Sequence, residues 1–165
     1  MKILIAYYSE SGNTEKIARA IGDELKDHDV HVKKATDVQT DSLKSYDLMF
    51  LGSPVHVGAF PKKFKTFLKE IPEKIESKMA SFFTYGVPIP DFYKKYEPKI
   101  SKIAQKSGLE FLGTFKCLGE HHFLHMLEKI NKDAAEKARI ESKGHPNEED
   151  IKNAKKFASE IIMKL

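Results

Sequence analysis

Residues 3–18 read Ile3-Leu4-Ile5-Ala6-Tyr7-Tyr8-Ser9-Glu10-Ser11-Gly12-Asn13-Thr14-Glu15-Lys16-Ile17-Ala18, and the fold is decided in this stretch. The run Ile3–Tyr8 is apolar without alternation, which suits a strand covered on both faces, as in a parallel sheet. Ser9–Thr14, rich in hydroxyls and carrying one glycine, ends the strand. Beyond it Ile17, Ala18, Ile21 and Leu25 recur at the spacing of one helical face.

The same alternation continues outward from this opening. Val30, Val32 and Ala35 suggest a short second strand. Leu48-Met49-Phe50-Leu51 reads as a third, ended by Gly52-Ser53-Pro54, and Phe60–Ile71 as a helix with Phe64, Phe67, Leu68 and Ile71 on one stripe. Ala80–Tyr85 closes at Gly86 as a fourth strand, Tyr93–Gln105 is helical around Tyr96, Ile100 and Ile103, and Leu109–Leu118 is a fifth strand ended by Gly119. The last helix is expected from about Asn147 to Leu165, with Ile151, Ala154, Phe157, Ala158, Ile161 and Leu165 inward. Asn147 is its cap, and Glu148, Glu149 and Asp150 stand at the positive end of its dipole. Five strands alternating with helices predict one α/β domain over residues 1–165, a parallel sheet covered on both faces. The stretch 120–146 is the least patterned: Phe123, Leu127, Ile130 and Ala134 are spaced to line a helix passing over the sheet edge.

Composition narrows the function classes. A chain of 165 residues with one cysteine, Cys117, forms no internal disulfide and no cysteine-built metal site. No apolar run reaches membrane-spanning length and no basic-then-apolar leader opens the chain, so the expectation is a cytoplasmic protein without a membrane span. The net charge is +4, but Arg19 and Arg139 are its only arginines. Base readout favours arginine, and no recognition motif accompanies the lysines, so nucleic acid is not the expected partner. A basic surface that prefers an acidic or anionic partner is.

In a parallel sheet every strand points its carboxyl end at one edge, and ligands bind there at the point where strand order reverses. The first strand–helix loop lies at that edge. Ser9, Ser11 and Thr14 supply three hydroxyls, Gly12 lets the backbone curl, and a helix starting near Asn13 adds its N-terminal dipole, which together make a phosphate cradle without arginine. Taken alone, Ser-Gly-Asn-Thr reads as a helix cap by Ser11 or Asn13. Its position after a buried strand turns it into a candidate ligand site. The G-x-x-x-x-G-K-[ST] and G-x-G-x-x-G patterns are both absent, which argues against P-loop and dinucleotide-binding chemistry. Cys117 has no arginine at a phosphatase spacing.

Three segments in order resemble the flavodoxin family: Ile3–Ala18, then Tyr46-Asp47-Leu48-Met49-Phe50-Leu51-Gly52-Ser53-Pro54-Val55-His56-Val57-Gly58, and the ending from Gly144-His145-Pro146-Asn147 into the last helix. The resemblance spans nearly the whole chain. It implies a flavodoxin-like three-layer fold with strand order 2-1-3-4-5 and non-covalent FMN. The phosphate loop carries over to Ser9, Glu10, Ser11, Gly12, Asn13 and Thr14, and the flavin-flanking loops to Pro54, Val55, His56, Val57 and Gly58 and to Thr84, Tyr85, Gly86 and Val87. Gly58 lets a backbone carbonyl approach flavin N5, with His56 and Phe60 packing on the ring. Backbone N–H groups of Thr84–Val87 reach its pyrimidine edge, with Tyr85 either stacking or part of the core.

The chain departs from the family pattern in being basic and Trp-free, with Lys62, Lys63 and Lys65 just past the flavin loop. The first reading is a flavodoxin-type electron carrier working with a redox partner protein or small-molecule acceptor of acidic or anionic character. An FMN-dependent oxidoreductase of the quinone- or protoporphyrinogen-oxidising type is the alternative, and a binding or regulatory module that kept the fold without FMN is the third. His121 and His125 have the i, i+4 spacing of two metal ligands, but no carboxylate motif frames them and no metal site is expected. Gly119-Glu120-His121 is read instead as closing the fifth strand beside the flavin pocket, where a titratable group tunes it. Cys117 is read as a small buried hydrophobe, and His122 has no role in this reading.

Overall fold

β1 (Lys2–Tyr7) lies between β2 (Asp29–Lys34) and β3 (Leu48–Val55), with β4 (Lys78–Tyr85) and β5 (Glu110–Leu118) beyond, so the all-parallel sheet runs β2-β1-β3-β4-β5. The computed structural model describes residues 1–56, 59–121 and 124–165, with the side chain of Phe92 left aside. Helices α1 (Asn13–Glu24), α2 (Lys62–Glu70), α3 (Pro90–Tyr93), α4 (Tyr96–Ser107), α5 (Leu124–Glu128), α6 (Lys132–Glu141) and α7 (Glu148–Ile162) connect and cover the strands, and two 3₁₀ turns, Ala35–Asp37 and Thr40–Ser45, lead from β2 to β3.

The unbroken apolar run of β1 has a direct cause. Ile3, Ile5 and Tyr7 pack against α1 and α7 on one face, while Leu4 and Ala6 pack against the α2 and α4 face on the other. All of Ile3–Ala6 are fully buried, and Ile3, Leu4 and Ile5 are each worth about 1.5–3 kcal/mol of burial. The helix stripes follow suit: Ile17, Ala18, Ile21 and Leu25 of the first helical pattern and Phe64, Phe67, Leu68 and Ile71 of the second are buried. α7 opens with the expected cap. The Asn147 side chain accepts from the N–H groups of Glu149 and Asp150 (3.0 and 3.1 Å), and Asp150 accepts from the Asn147 N–H at 2.8 Å.

Four expectations are corrected. β3 does not end at Gly52-Ser53-Pro54 but runs on to Val55, paired with β4 throughout. Proline is tolerated there because β1 has already ended. Gly52 faces β1, accepting from Tyr8 N–H at 2.9 Å, and Pro54, two residues on, presents its N–H-less nitrogen to the same, now empty, side. Gly52 is required by packing: a Cβ would lie 2.0 Å from the ring of buried Phe82. The helix expected over 93–105 is two, α3 and α4. Pro98 sits in the first turn of α4, where a missing N–H breaks no helical bond. In 120–146 the helix is broken after Glu128, and Asn131 caps α6 by accepting from Ala134 N–H at 2.9 Å, so Ile130 is 67% exposed instead of lining a helix. Phe123 lies outside the described residues. Finally, α7 stops at Ile162, and Leu165 is 44% exposed instead of facing inward.

Candidate functional site

The β1–α1 loop closes on itself before the helix begins. Gly12 adopts φ 89°, a left-handed conformation that side chains resist, and donates its N–H to Ser9 Oγ at 3.1 Å. α1 then starts at Asn13 with no side-chain cap among the described residues. The cap reading of Ser11 or Asn13 is not realised: Asn13 Nδ2 donates to the Glu120 carbonyl at 3.0 Å instead. The first-turn N–H groups of Asn13, Thr14 and Glu15 have no carbonyl one turn back within the helix, and they stand at the positive end of its dipole.

The side chains of the loop divide. Ser11 is exposed and lines a crevice with Asn13. Thr14 is fully buried, and its hydroxyl is bonded to that of Thr84 at 2.8 Å, so it ties the helix start to the end of β4 and is not presented at the loop surface. Glu10, the acid of the loop, accepts from Tyr8 Oη at 2.9 Å and pairs with His56 Nε2 at 2.7 Å. The nearby cation Lys16 donates to the Pro146 carbonyl at 2.6 Å.

The ends of β3, β4 and β5 complete the crevice. Pro54, Val55 and His56 form one wall, and His56 and Ala59 exchange backbone hydrogen bonds of 3.2 and 2.9 Å. Val57 and Gly58, between them, lie outside the described residues. Thr84, Tyr85 and Gly86 form the second wall. Val87, predicted with them, is buried beneath α5 and α6 with Leu127 and Ala138. Phe60 is also directed elsewhere: it packs edge-on to Phe64 and Tyr96 and against Phe83 in the core. Gly119, Glu120 and His121 form the third wall, as their place after β5 predicts.

What holds that third wall was not readable in advance. Glu120 N–H donates to the His145 carbonyl at 2.7 Å, His121 N–H to Ser142 Oγ at 3.1 Å, and Glu120 accepts from Gly144 N–H at 3.2 Å. The stretch 120–146 thus loops out through α5 and α6 and returns to brace the crevice, through contacts between residues more than twenty positions apart that leave no local periodicity. Asn13 and His121 lie close against Gly119 and Gly86, where a Cβ would meet them at 2.8 and 2.7 Å. The crevice is correspondingly narrow, about 30 Å³, room for roughly one water.

Tyr85 stacks on Tyr93 with ring centroids 4.1 Å apart and planes at 16°. Burial, with Tyr93 beside it, pushes its phenol up to about 12, so it stays a protonated donor near neutrality. Burial also pushes the Cys117 thiol well above its usual range, with Asp150 adding to the effect, which keeps it neutral and unreactive. His145 Nδ1 meets Asp150 Oδ2 at 2.5 Å. His121 precedes α5, so it and His125 do not share a helical face, and His122 lies outside the described residues. Among the described residues no cluster of three or more His, Cys, Asp or Glu is placed to hold a metal. No helix among them is long and apolar enough to cross a membrane.

A parallel sheet in this order, with a glycine-turned, uncapped helix start facing the ends of three strands, leads to one comparison. The family model described as a flavodoxin domain matches residues 4–159. The chain belongs to the flavodoxin family. It is 36% identical to an uncharacterized protein of Methanocaldococcus jannaschii, over 98% of this chain and 99% of the relative. It is 33% identical to the flavodoxin-like domain-containing protein BilS of Clostridioides difficile, over 99% and 98%. Its fold superposes on oxidised flavodoxin 2 of Bacillus cereus with a TM-score of 0.74 at 24% identity, covering 100% of both chains. Flavodoxin-family proteins generally bind FMN.

Proposed function

We propose that this flavodoxin-family protein binds FMN non-covalently and works as an electron carrier between redox partners. The observation that carries the reading is the helix start at Asn13. Its first-turn N–H groups are uncapped, Ser11 stands exposed beside them, and the acid of the loop, Glu10, is already engaged by Tyr8 and His56. Such a donor set suits a phosphate monoester dianion. The crevice between Pro54–His56, Thr84–Gly86 and Gly119–His121 begins at the same loop and suits a flat ring that follows the phosphate.

When bound, FMN supplies the centre that takes up and releases electrons. The chain's own groups have simpler tasks. Ser9 and Ser11 and the first turn of α1 hold the phosphate. Tyr85, kept protonated by burial, offers a hydrogen bond and an apolar face at the crevice wall. To admit a ring the narrow crevice has to open. The Glu120–His121 wall is bonded to residues 142–145 and, through the Glu120 carbonyl, to Asn13 at the start of α1, so admitting a ring would shift these contacts. Exposed Lys62 and Lys63 at the start of α2 and the net charge of +4 favour an acidic or anionic partner, and we place the protein in the cytoplasm.

Reconstitution tests the reading. Protein mixed with FMN and desalted should keep a flavin absorbance spectrum that bleaches on reduction, and it should pass electrons to a partner protein with little turnover on a quinone. Ser11→Asp puts a carboxylate against the phosphate and should weaken FMN by about tenfold or more. A protein that retains no flavin overturns the proposal, unchanged FMN affinity in S11D overturns the loop assignment, and rapid quinone turnover without a protein partner replaces the carrier with an enzyme.

A further inference from the structure

Away from the crevice, the face of the sheet covered by α2 and α4 carries a second cleft of about 540 Å³ between the two helices. Its base is apolar, formed by Leu68, Ile71 and Ile103. Its rim is cationic on both sides. Lys65 and Lys69 stand one helical turn apart on α2, and Lys99, Lys102 and Lys106 run along about 10 Å of α4. The carboxylate in the lining, Glu73, lies 3.7 Å from Lys106. Among the described residues, Lys65, Lys69, Lys99 and Lys102 are in no ion pair. Lysines facing one another one turn apart repel, and α2 further carries Lys62 and Lys63 at its N-terminal turn, where the helix dipole disfavours cations.

A second observation points into the same cleft. Tyr96 lines it, is fully buried, and has a phenolic oxygen with no hydrogen-bond partner among the described residues. Buried hydroxyls are nearly always satisfied, because leaving one unpaired is costly. The Lys99 ammonium lies 5.0 Å from the centroid of the same ring. An acceptor group placed beside Tyr96 and Lys99 would satisfy the phenol and the cation together.

We infer that the α2–α4 cleft binds a small amphipathic organic anion, with its apolar body on Leu68, Ile71 and Ile103 and its carboxylate held by the lysine rim and the Tyr96 hydroxyl. The volume is that of small-molecule sites, which run from about 300 to 1,000 Å³. The cleft shares no lining residue with the crevice at Ser11–His121, so the inference stands apart from the FMN reading.

The test uses the full chain, labelled with ¹⁵N, with and without added FMN. It is titrated with sodium 2-naphthoate and, separately, with neutral 2-naphthalenemethanol. Naphthoate should shift the amides of α2 and α4 saturably in both preparations and bind about tenfold or more tightly than the alcohol. Lys99→Glu with Lys102→Glu, both exposed positions, should lose at least about tenfold in affinity with an unchanged melting temperature. Tyr96→Phe should weaken naphthoate about three- to tenfold while the melting temperature holds or rises, an opposition that a merely structural role for the hydroxyl does not produce. Equal binding of acid and alcohol, shifts confined to the crevice, or a Y96F variant with unchanged affinity would overturn the inference. So would a glutamate-rich peptide or an RNA oligomer saturating the same amides when naphthoate does not, since the surface would then serve a macromolecule.

Discussion

The buried hydroxyl pair Thr14–Thr84 joins the start of α1 to the end of β4, and its worth follows from what surrounds it. Thr14 is 0% and Thr84 2% exposed, and the two oxygens are 2.8 Å apart. One hydroxyl donates and the other accepts, and both are buried away from the surface. Thr84→Val keeps the volume but strands the Thr14 hydroxyl, which costs the desolvation of an unpaired polar group, about 1–3 kcal/mol. Thr14→Val strands Thr84 at a similar cost. Replacing both leaves two methyl groups in contact and no unpaired oxygen, so the double variant should lie close to the wild type. The singles therefore must not add: the cycle should show a coupling of at least about 1 kcal/mol. Urea unfolding of the flavin-free protein at neutral pH measures all four forms, and a chain of this length shifts its melting temperature by about 2–4 °C per kcal/mol. Single variants whose losses sum to that of the double, within about 0.5 kcal/mol, refute the claim that the pair is isolated from other partners.

Gly52→Ala drives a methyl group into the Phe82 ring on a face with no slack; a loss of about 1–3 kcal/mol is expected in the same unfolding assay, and a neutral result would mean that Phe82 has another rotamer available. Asn147→Ala removes both side-chain bonds at the start of α7 and should cost about 1 kcal/mol, seen as a lower urea midpoint with unchanged slope. The Tyr85 phenol, lifted from 10 to about 12 in the folded protein, is held in its protonated form by folding, so its contribution is complete below about pH 10 and is lost as pH rises towards 12. Allowing for its partial exposure, wild type should lose about 1 kcal/mol more than Tyr85→Phe over that interval; parallel stability curves for the two proteins would remove Tyr85 from the account.

Local pattern accounts for much of the fold. The apolar run Ile3–Tyr8 needed both faces covered and found them covered. The stripes Ile17-Ala18-Ile21-Leu25 and Phe64-Phe67-Leu68-Ile71 became the buried faces of α1 and α2, and Asn147 capped α7 as its neighbours required. These are readable because helix and strand periods are properties of consecutive residues. The misreadings fall where a distant neighbour decides. Gly52-Ser53-Pro54 has the look of a strand end, yet β3 continues because β4 pairs with it and β1 has stopped.

The site divides along the same line. Ser9–Thr14 could be located from order alone, since a loop after the first strand of a parallel sheet must lie at the ligand edge. Which of its groups face outward could not. Thr14 and Ser11 are both hydroxyl residues in the same loop, and only the register of β4 makes one a partner of Thr84 and leaves the other exposed. Phe60, just past the candidate flavin loop, went to the core because Phe64, Phe83 and Tyr96 were there to receive it. The bracing of Glu120 and His121 by residues 142–145, and the gathering of lysines from α2 and α4 around an unpaired phenol, likewise join positions far apart in the chain. By itself the sequence determined the order of strands and helices, the covered faces and the position of the β1–α1 loop, because each is set by residue spacing. The tertiary structure alone decided which side chains share a crevice, because those meetings depend on packing across the sheet.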